Sequence, residues 1–172
     1  MTDFLIRPET DGDREGIARL LLAAFPTSWE ARLVEQLRRD GDVMFSLVAV
    51  AASEVIGHAL FSRLRTPDGA LSLAPVAVAA NRRRRGIAAK MIEDGLVRAR
   101  TEGWAAVVVL GDPSYYRRFG FSREAVLGMS CRYAGPGLMG LALSGGGLEG
   151  PPIEHASAFL SIGDENCNTA LG

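Results

Sequence analysis

Apolar residues recur along the first half of the chain with two different periods, and each period predicts a different element. Short alternating or continuous apolar runs predict strands over Phe4–Arg7, Met44–Ala52, Val55–Leu64 and Leu71–Ala80. Spacings of three and four residues predict amphipathic helices over Asp13–Phe25 and Trp29–Arg39, which Pro26 separates. The two strands on either side of Ser53–Glu54 are close enough to form a tight hairpin.

The second half of the chain predicts a crossover followed by shorter elements. A helical pattern over 86–102 is followed by AAVVVL at Ala105–Leu110, which is typical of a strand buried on both faces. Asp112 as N-cap and Pro113 in the first turn predict a short helix over Ser114–Phe119. Extended structure is expected from Phe121 onward, and a last strand over Leu138–Leu143.

These elements predict an α/β fold with one mixed sheet. Strand 71–80, helix 86–102 and strand 105–110 form a right-handed β-α-β unit, so those two strands should be parallel. The earlier strands are joined by hairpins and should be antiparallel. The length of the chain favours a single domain over 1–163, with 164–172 as a mobile tail.

Composition narrows the class of protein. The 172 residues are 48% hydrophobic with a formal net charge of -1, which favours a folded domain without a general affinity for nucleic acid. The sequence shows neither a secretory signal nor an apolar run long enough to span a membrane, so a cytoplasmic location is expected. Cys131 and Cys167 form neither a disulfide framework nor a metal-binding pair.

The segment Asn81–Ala88, NRRRRGIA, lies between a predicted strand and a predicted helix. The free N–H groups of a helix start, with a glycine beside them, can bind a diphosphate. No Gly-Lys-Ser/Thr follows, which excludes a Walker-type loop, and Gly86 alone does not make a Rossmann fingerprint. On these residues alone the loop is either a phosphate site of another kind or a solvated arginine-rich surface.

Two motifs give this loop a context. PVAVAANRRRRGIAAKMI, with Arg83, Gly86 and Ala88, resembles motif A of the GNAT acyl-CoA N-acetyltransferase superfamily. LGDPSYYRRFGF, with Tyr116, Gly120 and Phe121, resembles a later segment of the same superfamily. The residues of both motifs, together with VIGHALF before them, are most similar to the YhbS-like branch of this superfamily. The resemblance covers roughly residues 4–143.

The resemblance implies a fold and a cofactor site. The fold would be a mixed, mostly antiparallel central sheet with a V-shaped splay between its two middle parallel strands and helices on both faces. Acetyl-CoA would be the co-substrate, with no metal, its pantetheine arm paired to the backbone of the strand before the loop and its pyrophosphate held at the helix start. The implied cofactor-binding residues are Val76, Ala77, Val78, Arg83, Arg84, Arg85, Gly86, Ile87, Ala88 and Tyr116.

The resemblance also implies that Tyr116 protonates the departing thiolate, since a phenol of ordinary pKa is suited to this step. Tyr115 is the other candidate, because the spacing of a helix does not let both face the thioester equally. Asp112 has a sufficient role as a helix cap.

The general base stays open at this point. His58 titrates in a useful range but shares a strand face with Ile56 and Leu60, which favours a core histidine. His155 has a similar interpretation, and Glu30 near the start of the second helix is a further candidate. Cys131 is interpreted as a buried thiol.

The leading hypothesis is an N-acetyltransferase in which an amine attacks acetyl-CoA directly within a ternary complex. The alternatives are a CoA-binding sensor or adaptor that acts through its C-terminal extension, and an RNA-binding module built on the arginine run, which the net charge disfavours. The acceptor would be a small-molecule or peptide amine, and the protein a monomer or homodimer without nucleic-acid or membrane partners.

Overall fold

The computed structural model describes residues 3–145, 148 and 150–162. One six-stranded sheet crosses the molecule, with its strands side by side in chain order. Every neighbouring pair is antiparallel except β4 and β5, which confirms the predicted mixed, mostly antiparallel sheet. The strands are β1 (Leu5–Pro8), β2 (Val43–Ala51), β3 (Glu54–Arg63), β4 (Ala70–Val78), β5 (Ala106–Leu110) and β6 (Leu138–Ala142).

Helices cover both faces of this sheet, as expected. They are α1 (Arg14–Ala24), α2 (Trp29–Asp40), α3 (Ile87–Thr101), α4 (Pro113–Tyr116) and α5 (Ala158–Ser161). The apolar faces of α1 and α2 form one core with α5, represented by Leu21, Leu33 and Phe159. On the opposite face α3 forms a second core through Met91, Ile92 and Leu96 against Phe61. The apolar stripes read from the sequence are therefore the faces that pack on the sheet.

Three local expectations were wrong. Extended structure after Phe121 is reduced to a bridge at Ser122, followed by a 3₁₀ turn at Glu124–Val126. The hairpin turn lies at Ala52 and Ser53, both with left-handed backbones, one residue earlier than expected. Helix α5 was not predicted, because its four residues are too short for a hydrophobic period to appear.

The parallel pair separates part-way along its length. The register of β4 and β5 runs from Ala70 opposite Ala106 to Leu73 opposite Val109, and then stops. β4 continues to Val78 beside β3 alone, while β5 remains paired with β6 to Leu110. Pro75 falls where the β3–β4 register shifts, a position that tolerates its missing N–H. The result is the expected V-shaped splay between the two middle strands.

The described residues contain no helix long and apolar enough to cross a membrane. Cys131 is a free thiol. Cys167 and the tail 164–172 lie outside the described residues, and the single-domain boundary at 163 stays a prediction.

A buried polar cluster joins β1, α2 and the central strands. Glu9 bonds with Arg38 and accepts a hydrogen bond from the Ser46 hydroxyl. The Nε2 atom of His58 lies 3.5 Å from a Glu9 oxygen, and His58 is fully buried. Burial lowers the pKa of His58, which keeps the ring neutral. The expectation of a core histidine holds, although neither ring nitrogen makes a hydrogen bond within the described part of the chain.

Glu9 should make the stability of the fold sensitive to acid. Burial alone would raise its pKa, but contacts with His58, Ser46 and Arg38 outweigh burial and lower it from 4.5 to about 2. Its stabilising contribution is then present above pH 4.5 and is lost as the pH falls toward 2. The shift corresponds to about 3 kcal/mol, so Glu9→Gln should unfold more readily than the parent at pH 7 by about that amount. Urea unfolding at pH 7 and pH 3 checks this, and an equal deficit at both values would contradict it.

Candidate active site

A cleft of about 760 Å³ fills the splay between β4 and β5. Its walls come from the open half of β4, the loop before α3, the start of α4, and the α1–α2 region with residues 133, 155 and 159. Tyr116 belongs to the core on the α3 face, whereas Trp29 and Phe159 belong to the core on the α1–α2 face. Since all three line one cleft, the cleft is open from one face of the sheet to the other.

The open half of β4 offers its backbone to this cleft. The amide of Ala79 donates to the carbonyl of Ile56 in β3 at 2.9 Å. Because backbone groups alternate sides along a strand, those of Val76 and Val78 point away from β3 toward the splay. Val76 and Val78 line the cleft and are half-buried. Ala77, between them, also lines the cleft and is buried. An extended ligand with amide groups could therefore pair with β4 where β5 does not.

The loop between β4 and α3 presents free N–H groups to the same cleft. Arg84 and Gly86 both have left-handed backbones, with φ of 61° and 78°. α3 begins at Ile87, and its first internal bond runs from the Lys90 amide to the Gly86 carbonyl at 2.9 Å. The amides of Ile87 and Ala88 consequently precede the helical ladder, as in other anion sites at helix starts.

The four arginines of this loop have different surroundings. Arg82 pairs with Asp3 at 2.6 Å, and Arg83 donates to the carbonyls of Val78 and Ala24 at 3.3 and 3.5 Å. Arg84 and Arg85 form no hydrogen bond or ion pair with the described residues, and only Arg84 of these two lines the cleft. Arg83 therefore positions the loop against α1 and β4, Arg84 is the guanidinium best placed for an anion, and Arg85 lies outside the cleft wall.

The start of α4 holds two tyrosines against the end of β5. Asp112 caps the helix by accepting a hydrogen bond from the Ser114 amide at 2.8 Å, as expected, and it also lines the cleft. The Tyr116 ring lies directly on Gly111: a Cβ atom there would be 2.3 Å from Cε2 of the ring. Tyr115 meets Tyr116 edge to face with centroids 5.2 Å apart.

The two phenols are not equivalent. Burial raises the pKa of Tyr116 well above its ordinary value, with a further contribution from Tyr115. The pKa of Tyr115 is also raised by burial, but the Arg118 guanidinium lies over its ring at 4.5 Å and opposes the rise. Both hydroxyls are protonated at neutral pH and can donate a hydrogen bond. Tyr116 is the tyrosine whose ring is held against Gly111, directly after β5.

Four rings that line the cleft form a continuous row. Tyr133 and His155 have centroids 5.1 Å apart, His155 and Phe159 4.9 Å, and Phe159 and Trp29 6.1 Å. The Tyr133 hydroxyl donates to the Phe159 carbonyl at 3.2 Å and joins the two segments. Tyr133 and Phe159 could not be identified from the sequence, because a turn and a four-residue helix are too short to show a hydrophobic period.

Glu30 lies beside this row in the first turn of α2. Its residue is 2% exposed, its Oε2 atom has no hydrogen-bond partner, and it lines the cleft. Burial raises its pKa above the ordinary 4.5. Burial also lowers the pKa of His155 to about 4, so that ring is neutral at pH 7. With His155 neutral, Glu30 is the only aspartate, glutamate, lysine or arginine that α2 and residues 133, 155 and 159 contribute to the described lining of the cleft.

Two other candidates from the sequence are elsewhere. His58 is buried in the cluster with Glu9 and does not line the cleft. Cys131 is half-buried rather than buried, lines a smaller pocket, and has a pKa raised by burial. A thiol with a raised pKa is a poor nucleophile, and neither residue is in a position to act in the main cleft.

Comparisons with known proteins agree with this geometry. The family model described as an acetyltransferase (GNAT) domain matches residues 5–123. The uncharacterised N-acetyltransferase YhbS of Escherichia coli K12 is 40% identical over 136 residues, covering 77% of this chain and 81% of that protein. The crystal structure of E. coli YhbS with CoA superposes with a TM-score of 0.87 at 34% identity, over 95% of each chain. A GNAT acetyltransferase of Brucella melitensis with acetyl-CoA gives 0.79 at 30% identity, over 91% of this chain and 97% of that one.

Proposed function

The chain belongs to the GNAT family of acetyltransferases, and from this premise we propose that it transfers an acetyl group from acetyl-CoA directly to a primary amine while both are bound. The observation that carries the proposal is the cleft through the splay. The helix start at α3 can bind an anion. The open half of β4 and the Tyr116 phenol also line the cleft. The wall formed by α2 and residues 133, 155 and 159 is largely apolar and carries one carboxyl group, that of Glu30. This arrangement suits a long anionic donor and a separate cationic acceptor.

The residues of the cleft fit coenzyme A. CoA accompanies the E. coli YhbS structure and acetyl-CoA the Brucella one. In this chain the amides at Ile87 and Ala88, with Arg84, would hold the pyrophosphate. The backbone of Val76 and Val78 would pair with the amides of the pantetheine arm, in the way that β4 pairs with β5 before the splay begins. The thioester would then lie near Tyr116.

The transfer follows from these positions. The neutral amine attacks the thioester carbonyl carbon, a C–N bond forms, and the C–S bond breaks as the tetrahedral intermediate collapses. The Tyr116 hydroxyl donates its proton to the sulfur as negative charge develops there, and the phenolate recovers a proton from the amide nitrogen. Because its raised pKa keeps Tyr116 protonated, the donor is present throughout the neutral range.

Two measurements test the proposal. Acetyl-CoA at about 100 times its Kd should stabilise the fold by about 2.7 kcal/mol, which a thermal shift detects. A thiol-release assay across amines and peptides should then show acceptor-dependent turnover. If acetyl-CoA binds but no acceptor gives thiol release, the sensor or adaptor function is favoured instead. If acetyl-CoA does not stabilise the fold, it is not the donor.

Gly111→Ala should displace Tyr116 without touching its hydroxyl. The added methyl would lie 2.3 and 2.9 Å from Cε2 and Cδ2 of the ring. Because these distances are too short, the ring must shift from its present contact with Phe121, where the centroids are 5.8 Å apart. A misplaced acid should lower kcat by roughly 10- to 100-fold while the stabilisation by acetyl-CoA is kept.

Gly145→Ala is the matched control for this change, since a Cβ atom there meets nothing within 4 Å. An unchanged kcat in Gly111→Ala would show that the position of the Tyr116 ring does not matter for turnover.

A further inference from the structure

The part of the cleft lined by α2 and residues 133, 155 and 159 combines apolar and aromatic side chains with one carboxyl group. Trp29, Phe159 and Leu33 are more than nine-tenths buried, and Tyr133 and His155 complete the row of rings. Among the described residues that form this wall, Glu30 supplies the only carboxyl group, and none is a lysine or arginine. Aromatic faces attract cations, and a desolvated carboxylate attracts them far more strongly.

One oxygen of the Glu30 side chain has no hydrogen-bond partner in the described structure, and no ion pair to this side chain is present there. Its Oε2 atom is buried without a hydrogen-bond partner, although leaving a buried charge unpaired is costly. Other carboxylates of the described chain show how the fold pairs such groups: Asp13 is held by Arg7 at 2.7 Å, and Glu9 by Arg38 and Ser46. A buried carboxyl oxygen that lines a ligand cleft and has no partner among the described residues is therefore a candidate to bind a group of the ligand.

Building on the acetyl transfer proposed above, we propose that Glu30 binds the ammonium group of the acceptor and takes its proton. We further propose that the acceptor is a primary amine on an aromatic or alkyl body that carries no carboxylate. Glu30 accepts one proton from the ammonium ion, which leaves the neutral amine that attacks the thioester. That proton leaves to solvent with the products, so one amide, one CoA thiol and one proton are formed.

The chemistry of the wall argues for both parts. A carboxyl group whose pKa is raised by burial is a stronger base than an exposed one, and an ammonium ion bound beside it favours the carboxylate form that accepts the proton. An acceptor carboxylate would have to be buried beside Glu30, whereas the four arginines that line the cleft belong to the phosphate loop (Arg82, Arg83 and Arg84) and to the turn after α4 (Arg118). This repulsion should select amines over the corresponding amino acids.

Matched pairs of acceptors test the substrate class. The probes are 2-phenylethylamine against phenylalanine, and pentylamine against norleucine, each assayed by thiol release with saturating acetyl-CoA. For at least one pair the amine should be used with a kcat/KM at least about tenfold above that of the amino acid. Preference for the amino acids, or for the N-terminal amine of a peptide over both simple amines, would overturn the acceptor class and leave the acetyltransferase intact. No thiol release with any acceptor would instead count against the proposed function itself.

Glu30→Gln tests the residue with the preferred amine. Acid–base catalysis is lost while shape is kept, so kcat/KM should fall about 100-fold, with the stabilisation by acetyl-CoA unchanged. The melting temperature should be close to that of the parent, because the amide has the same shape and the replaced carboxyl oxygen Oε2 has no hydrogen-bond partner in the described structure. Glu35→Gln on the same helix removes an accessible charge that is paired with Arg38 and should retain turnover. Full turnover in Glu30→Gln, or a loss in His155→Gln alone, would assign the base elsewhere.

Discussion

Tyr116→Phe is expected to lower kcat by about 10²–10⁴-fold while leaving the affinity for acetyl-CoA and the melting temperature close to those of the parent. The ring keeps its packing on Gly111 and Phe121, because only the hydroxyl is removed. That hydroxyl makes no hydrogen bond within the described part of the chain, so its loss leaves no orphaned partner. The departing sulfur would then carry a full negative charge in a desolvated cleft. Single-turnover kinetics with saturating amine, alongside acetyl-CoA thermal shifts, separate the chemical step from binding.

Tyr115→Phe is the companion variant. Its ring also lines the cleft, on the same short helix, but is stacked with Arg118. We expect this variant to retain most of the turnover, within about tenfold of the parent, because a single positioned acid suffices for the step. If Tyr115→Phe lost the chemical step and Tyr116→Phe kept it, the acid would be Tyr115.

The cofactor side of the cleft was largely predictable from the sequence, because it is built from regular elements. A β-α-β unit places a strand end and a helix start together by rule, so Gly86 and Ala88 could be assigned to one site. The assignment of Val76 to that site was implied by the resemblance to the GNAT superfamily. The pairing of neighbouring strands also followed from the hairpins. The sequence pattern did not show that the arginines of the loop have different partners. Arg82 pairs with Asp3, and Arg83 donates hydrogen bonds to the carbonyls of Val78 and Ala24.

The acceptor side could not be predicted in the same way. Tyr133, His155 and Phe159 come from segments without a hydrophobic period, and they meet Trp29 only through tertiary packing. Glu30 illustrates the difference most clearly. In the sequence it is one acidic residue in the first turn of a helix, where a carboxylate is ordinarily solvated and favourable. Only the structure shows that it is 2% exposed and faces the cleft.

Gly86→Val should weaken acetyl-CoA binding roughly 10³-fold, more than any single arginine-to-alanine change in the loop. The backbone of Gly86 has φ of 78°, where a β-branched side chain is strained, so the loop and the amides after it must rearrange. Losing two charge-assisted bonds to phosphate, at about 2 kcal/mol each, gives this magnitude. Arg84→Ala removes one exposed charge and should cost about tenfold or less. Titration calorimetry or thermal shift with acetyl-CoA measures both.

Gly103→Val separates the two effects of the Gly86 change, strain and loss of the site. Gly103 follows the other end of α3 with φ of 84°, and like Gly86 it has nothing within 4 Å of an added Cβ atom. Both variants should therefore lose similar stability, whereas only Gly86→Val should lose acetyl-CoA. If Arg84→Ala weakened binding more than Gly86→Val, the side-chain charge rather than the backbone amides would hold the pyrophosphate. The reason for expecting the opposite is physical: amides fixed by a helix start require no ordering when the anion binds, whereas an exposed arginine loses rotamer freedom and is screened by salt.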